Sequence, residues 1–159
     1  MDGISYKVEG TLVGKFEETA REMPGIEKLA LYKAGFFLRD KIRQQLLTNV
    51  PKANVKNPKY NDTLLDAIAF THPDGASITV NALGNRKSGS GTFRTRFFEA
   101  GTHNRFHKQQ NGIKLKKKRA IGKITGNHFF STAVNANESA VISIMEQVIS
   151  KYIKDKFNG

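Results

Sequence analysis

Hydrophobic and polar positions change period several times along the chain, and each change predicts an element. In residues 4–13, Ile4, Tyr6 and Val8 alternate with Ser5, Lys7 and Glu9 before Gly10, the two-residue period of a half-buried strand. Lys15 to Met23 reads as a short amphipathic turn that Pro24-Gly25 ends, unless Pro24 opens the helix that follows. From Ile26 to Asn49 there is no proline, helix formers dominate and Pro51 lies just beyond, so a long helix is expected. Its apolar residues form two stripes: Ile26, Leu29, Ala30, Phe36, Phe37, Leu47, and, at near-regular i,i+4 spacing, Ala34, Leu38, Ile42, Leu46. A surface helix of a monomer needs one stripe. The second is either packed under another element or offered to a neighbouring subunit, which makes Ala34, Leu38, Ile42 and Leu46 a candidate subunit interface.

Residues 50–63 combine two prolines with Asn and Lys and read as a loop. Residues 64–70 (LLDAIAF) and 76–83 (ASITVNAL) then read as two strands joined through His72-Pro73-Asp74-Gly75, the first of them open to starting as a helical turn. GNRKSGSG, 84–91, is a Gly/Ser-rich link. In residues 92–101 Phe93, Thr95 and Phe97 alternate with Arg94, Arg96 and Phe98, a strand pattern with arginines on one face, closed by Gly101. Residues 128–135 give a short helical segment. A C-terminal helix follows, in which Asn135 and Glu138 have the spacing of a capping box and Ala140, Val141, Ile144, Met145, Val148, Ile149, Tyr152 and Ile153 keep one face. Lys151, Lys154 and Lys156 suit the negative end of its dipole.

Charge adds what the periodicity does not show. Residues 86–123 hold 12 Lys and Arg against a single acid, Glu99, or +11 of the chain's net +12. The remainder, 14 basic against 13 acidic residues, is nearly neutral. Like charges at this density repel unless solvent, counterions or an acidic partner neutralises them. The excursion over 103–127 is therefore expected to be a protruding basic loop whose Arg105, Lys108, Lys114, Lys116, Lys117, Lys118, Arg119 and Lys123, with Arg94 and Arg96 before it, meet a partner or phosphate. Nucleic acid and an acidic protein surface both satisfy that charge. The run Lys114 to Arg119 also fits a localisation signal, a phosphate-tracking strand with Phe106 for stacking, or an arm that orders against a partner.

Composition bounds the rest. The 159 residues match one domain, with 38% apolar and 25% charged residues in the globular range. With no Cys there is no disulfide, thiolate site or thiol nucleophile. The opening MDGISYKVEG lacks the basic and apolar regions of a signal peptide and no apolar run reaches bilayer length, so a soluble, unexported chain with no membrane partner is expected.

Chemistry-bearing patterns are few. Glu99, His103 and His107 are four apart, a metal-site spacing on a helix, but Gly101 and Thr102 interrupt that helix and three ligands fall short of a closed site. Gly84 to Ser90 imitates a phosphate-binding P-loop yet has Ser90 where the lysine must be. Most acids sit on the helices beside lysines, and no spacing suggests a catalytic triad. No catalytic, metal or cofactor residue is assigned.

At Phe97-Phe98-Glu99-Ala100-Gly101-Thr102 and Phe129-Phe130-Ser131-Thr132-Ala133 the chain resembles the tail-completion, or head-to-tail joining, proteins of long-tailed bacteriophages. Those proteins carry an aromatic or aliphatic residue followed by Glu-x-Gly-Thr, a loop, a Pro-Phe-Leu-Arg-Pro-Ala-like segment and a final amphipathic helix. Here His128 and Thr132 stand for the two prolines and Ser131 for the arginine. The earlier order is also similar, with a long helix ending at Val50-Pro51 and Leu64-Leu65-Asp66-Ala67-Ile68 in place of Leu-x-x-Ser-Ile. The resemblance implies an α+β subunit, a small, mostly antiparallel sheet packed by the long and C-terminal helices. It implies a non-catalytic virion protein of the neck or upper tail that forms a ring, of six copies, against connector or tail proteins, its basic loop facing either DNA in the channel or an acidic neighbouring ring. Phe97, Phe98, Glu99, Gly101, Thr102, Phe129 and Phe130 are then the scaffold of the basic loop. The rival expectation is a nucleic-acid-binding protein that uses the loop over 103–123.

Overall fold

The structure, a computed structural model, describes residues 11–57, 62–70, 77–82, 90–110 and 113–158. The expected strand at the N-terminus falls largely outside them, as do the turn at 72–75 and nearly all of the Gly/Ser link with its P-loop-like run.

Two long helices, α1 (Thr11–Asn49) and α4 (Phe129–Asn158), pack along each other and dominate the fold. They run antiparallel, because Asn127 beside the start of α4 reaches Asn49 at the end of α1, while Lys156 at the end of α4 reaches Glu18 and Glu22 near the start of α1. Between them in sequence come the short α2 (Lys52–Val55), strands β1 (Lys56–Asn57), β2 (Asp62–Thr63), β3 (Ile68–Phe70) and β4 (Val80–Ala82), helix α3 (Ser90–Ala100), and strands β5 (Arg105–Gln110) and β6 (Ile113–Gly122). The fold is α+β. Among the described residues its strands form three antiparallel pairs, β1–β2, β3–β4 and β5–β6, where a single small, mostly antiparallel sheet was expected.

The core gathers at one end of the helix pair. Ile42, Leu46 and Val50 of α1, Val55 of α2, Leu64 and Ile68, Phe98 of α3, and Phe129 and Ala133 of α4 enclose it. Leu64 and Ile68 bracket a turn that folds back on itself through Ile68 N–H donating to Leu65 O, 3.1 Å. Leu64 N–H donates to Val55 O at 2.8 Å and ties that turn to α2. This places the second stripe of α1 inside the chain: Ala34, Ile42 and Leu46 are 2%, 0% and 0% exposed. Ile42 and Leu46 are therefore closed off within the chain, whereas Ala34 and the half-buried Leu38 border the hollow between α1, β4 and α4. It is the other stripe that shows itself, with Leu29, Phe36 and Leu47 exposed. Phe36 packs edge-on against Phe70 of β3 at 4.6 Å between ring centroids, under the Arg39 guanidinium.

Three expected boundaries are corrected. Pro24 lies inside α1, which begins well before Ile26. A proline there removes one helical hydrogen bond and costs about 3 kcal/mol in isolation, and the packing of α1 along α4 carries the helix past it, with Thr19 buried and Met23 and Ile26 half-buried on either side of the proline. Residues 90–100 are helix α3, not a strand. An i,i+3 pair, Thr95 and Phe98, faces inward at 1% and 8% exposure, and that pairing outweighs the alternation of Phe and Arg. Finally, the segment at 128–135 and the C-terminal helix are one helix, with Asn135 exposed in its interior instead of at a cap.

Candidate functional site

The basic excursion is ordered as a two-stranded ribbon, β5–β6, and is not an irregular loop. Arg105 pairs with Gly122, Phe106 with Ala120 and His107 with Arg119; toward the far end Gln109 pairs with Lys114 and Gln110 with Ile113. Between His107 and Gln109 β5 advances by two residues while β6 falls back by five, from Arg119 to Lys114. The surplus residues of β6 are drawn from Leu115 to Lys118, so the lysine run is where the ladder bulges. Each strand packs mainly on the other, with no substantial contact to any other element among the described residues. Phe106, Ile113 and Ile121 are accordingly exposed, Ile113 at 72%.

The ribbon stands on a base built from both resemblance segments. Gly101 N–H donates to Phe97 O at 2.9 Å and ends α3 with Gly101 at φ 81°, in the left-handed region that favours glycine. Thr102 and Ile124 then bind each other twice: Thr102 N–H donates to Ile124 O and Ile124 N–H donates to Thr102 Oγ1, both at 2.9 Å. Asn127 N–H reaches Phe98 O at 2.8 Å and His128 N–H reaches Glu99 O at 3.2 Å. The two chain passages touch so closely at Gly101 and Gly126 that a Cβ on Gly101 would sit 2.7 Å from Gly126 N, and one on Gly126 would sit 2.7 Å from the Ala100 carbonyl carbon.

Glu99 completes the base. Its carboxylate accepts from Phe130 N–H at 2.8 Å, from Ser131 N–H at 3.1 Å and from the Ser131 hydroxyl at 2.8 Å. These backbone donors belong to the first turn of α4, where no intrahelical acceptor exists and the helix dipole favours a negative charge. The residue before that helix, His128, has φ 50° and supplies its carbonyl to Thr132 N–H, so the side-chain cap comes from another helix entirely. Phe129 is fully buried behind this cap and meets Phe130 edge-on, 6.4 Å between centroids.

The expected contact residues separate accordingly. Arg94 is turned inward: its Nη2 donates to Asn54 O at 2.6 Å and fastens α3 to α2. Arg96 on α3 is exposed, as is Phe97, while Phe98 is buried. Arg105, Lys108, Lys114, Lys116, Lys117, Lys118 and Arg119 all lie on the ribbon and Lys123 just past it. Of these, Lys114, Lys117 and Lys123 have described side chains that are exposed, Arg105 is half-buried at the root, and the side chains of Lys108, Lys116, Lys118 and Arg119 lie outside the described set. Among the described residues no carboxylate of the chain pairs with a ribbon cation.

Of Glu99, His103 and His107, only the first two have described side chains. The Glu99 carboxylate is committed to α4, His103 is exposed past the end of α3, and no cluster of three or more His, Cys, Asp or Glu able to hold a metal occurs among the described residues. Two apolar hollows flank the base. One, about 360 Å³, lies between β4, α3 and the start of α4 over Phe129 and Phe130; the other, about 590 Å³, lies between α1, β4 and α4 and reaches Leu38 and Met145. No described helix is long and apolar enough to cross a membrane.

The capping role of Glu99 was hidden from sequence spacing, since its partners are some thirty residues downstream. Compared with family models, with curated proteins and with solved structures, the chain matches none.

Proposed function

We propose that this chain is a structural subunit of the neck or upper tail of a long-tailed bacteriophage, acting in tail completion or head-to-tail joining by self-assembly into a ring. Its partners are other copies of itself and the adjoining connector or tail proteins. What carries the reading is the clasp at the root of the ribbon. The two segments that resemble the joining proteins, Phe97 to Thr102 and Phe129 to Ala133, form one hydrogen-bonded unit whose outward product is the basic ribbon. Glu99, the acid of the resemblance motif, is used to fix α4 instead of being presented to a substrate. The second hollow and the exposed stripe of Leu29, Phe36 and Leu47 leave apolar surface for neighbours in a ring.

The nucleic-acid-binding reading keeps one observation of its own, the exposed Lys114, Lys117 and Lys123, which among the described residues pair with no carboxylate and would be sufficient without a ring. Particles made without this chain separate the two. The joining reading expects filled heads and finished tails that remain apart and unite when the purified chain is added; particles that join normally without it would defeat that reading.

A further inference from the structure

We infer that the anion met by the β5–β6 ribbon is the phosphate backbone of duplex DNA. Lys114, Lys116, Lys117, Lys118 and Arg119 place five cations in six consecutive residues of β6. A strand of that length spans at most about 20 Å, so the spacing is roughly one cation per 4 Å. Carboxylates packed to match on a protein surface would repel one another as strongly as these lysines do. Duplex DNA holds its charges covalently at about one per 1.7 Å of axis and surrenders condensed counterions when cations arrive.

The shape agrees. The ribbon is only two strands wide, and the major groove, about 12 Å across, admits a two-stranded ribbon. Among the described residues no third strand covers either outer edge, which leaves backbone N–H groups for phosphate oxygens. The bulge falls within Leu115 to Lys118, between the paired Lys114 and Arg119, and the hydrogen-bonded base at Thr102 and Ile124 anchors the ribbon's root. Lys114 and Lys117 are exposed and Glu99, the lone acid of the basic window, is committed elsewhere. Contact of this kind is independent of base sequence. It rests on the joining reading only for its setting, DNA that passes the neck.

The test is binding of the whole chain to a short random duplex, to its single strand and to polyglutamate. It is run for the natural chain, for the quintuple variant K114Q/K116Q/K117Q/K118Q/R119Q, and for K151Q/K154Q, which removes exposed charge from α4. Five phosphate contacts give a log–log salt slope near −4.5, a loss of roughly 500-fold in affinity between about 50 and 200 mM salt. The quintuple variant, checked for an unchanged melting temperature, should lose about a hundredfold or more at the lower salt, and K151Q/K154Q should bind as the natural chain does. Absence of duplex binding, equal binding of polyglutamate, or undiminished binding by the quintuple variant overturns the inference. Joining restored by a chain that does not bind DNA would sink this inference alone; DNA binding by a chain that restores no joining would sink the joining reading alone.

Discussion

The Glu99 carboxylate at the end of α3 caps the first turn of α4 through Ser131, taking its N–H at 3.1 Å and its hydroxyl at 2.8 Å. This contact fixes where a thirty-residue helix begins and, through the clasp beside it, where the ribbon emerges. Replacing Glu99 by Ala should cost about 1–2 kcal/mol, as loss of a helix cap does. The melting temperature should fall by about 2–8 °C. Ser131→Ala removes one of the three bonds and should cost less, a ranking that thermal melts of the two variants establish.

Gly101 and Gly122 both have positive φ, 81° and 85°, but only the first is crowded. A Cβ at Gly101 meets backbone at 2.7 Å, whereas one at Gly122 has nothing within 4 Å. Gly122→Ala should therefore show only the left-handed penalty of about 1–2 kcal/mol. Gly101→Ala carries that penalty plus displacement of the chain at Gly126, and chemical denaturation should find it the more damaging of the two.

Phe129 and Phe130 look equivalent in the sequence, and the fold treats them differently. Phe129 is 0% exposed in the core and Phe130 only half-buried at the rim of the hollows. Truncation to Ala should cost about 3–5 kcal/mol at Phe129 and clearly less at Phe130. Urea titration of both variants measures the difference.

Lys156 holds the far ends of the helix pair together, 2.6 Å from Glu18 and 3.4 Å from Glu22. Its hydrogen bond to Glu18, with the charges of both carboxylates, raises its pKa above the ordinary lysine value, and partial desolvation opposes this. A raised pKa means that the contribution is complete below the unfolded lysine's pKa of about 10.4 and fades as pH rises through the folded value. The difference in melting temperature between the natural chain and Lys156→Met should be present at neutral pH and vanish in strong alkali. Salt should also shrink it, because the pair is near the surface.

Legibility followed the range of the interactions. The long helix ending at Asn49, the final amphipathic helix, the alternation at Val80 to Ala82 and the charge segregation are local patterns, and periodicity exposes them. Residues 92–101 mislead because Phe93, Thr95 and Phe97 alternate as a strand would, while burial of Thr95 with Phe98 chooses the helix. Asn135 misleads because a local capping rule cannot see a carboxylate donated by α3. The stripe at Ala34, Ile42 and Leu46 had two outcomes open, and packing across the chain decided for the interior. The basic segment was visible as charge but not as a ribbon, since its pairing depends on a bulge and a clasp formed by residues outside it.

On the proposed reading, an assembly-borne anion completes the ribbon's charge. The most direct measurement is the yield of joined particles when the only source of this chain is the quintuple variant K114Q/K116Q/K117Q/K118Q/R119Q, folded with an unchanged melting temperature. Heads and tails should accumulate unjoined, and joining at the normal yield would contradict a role for the ribbon's charge in assembly.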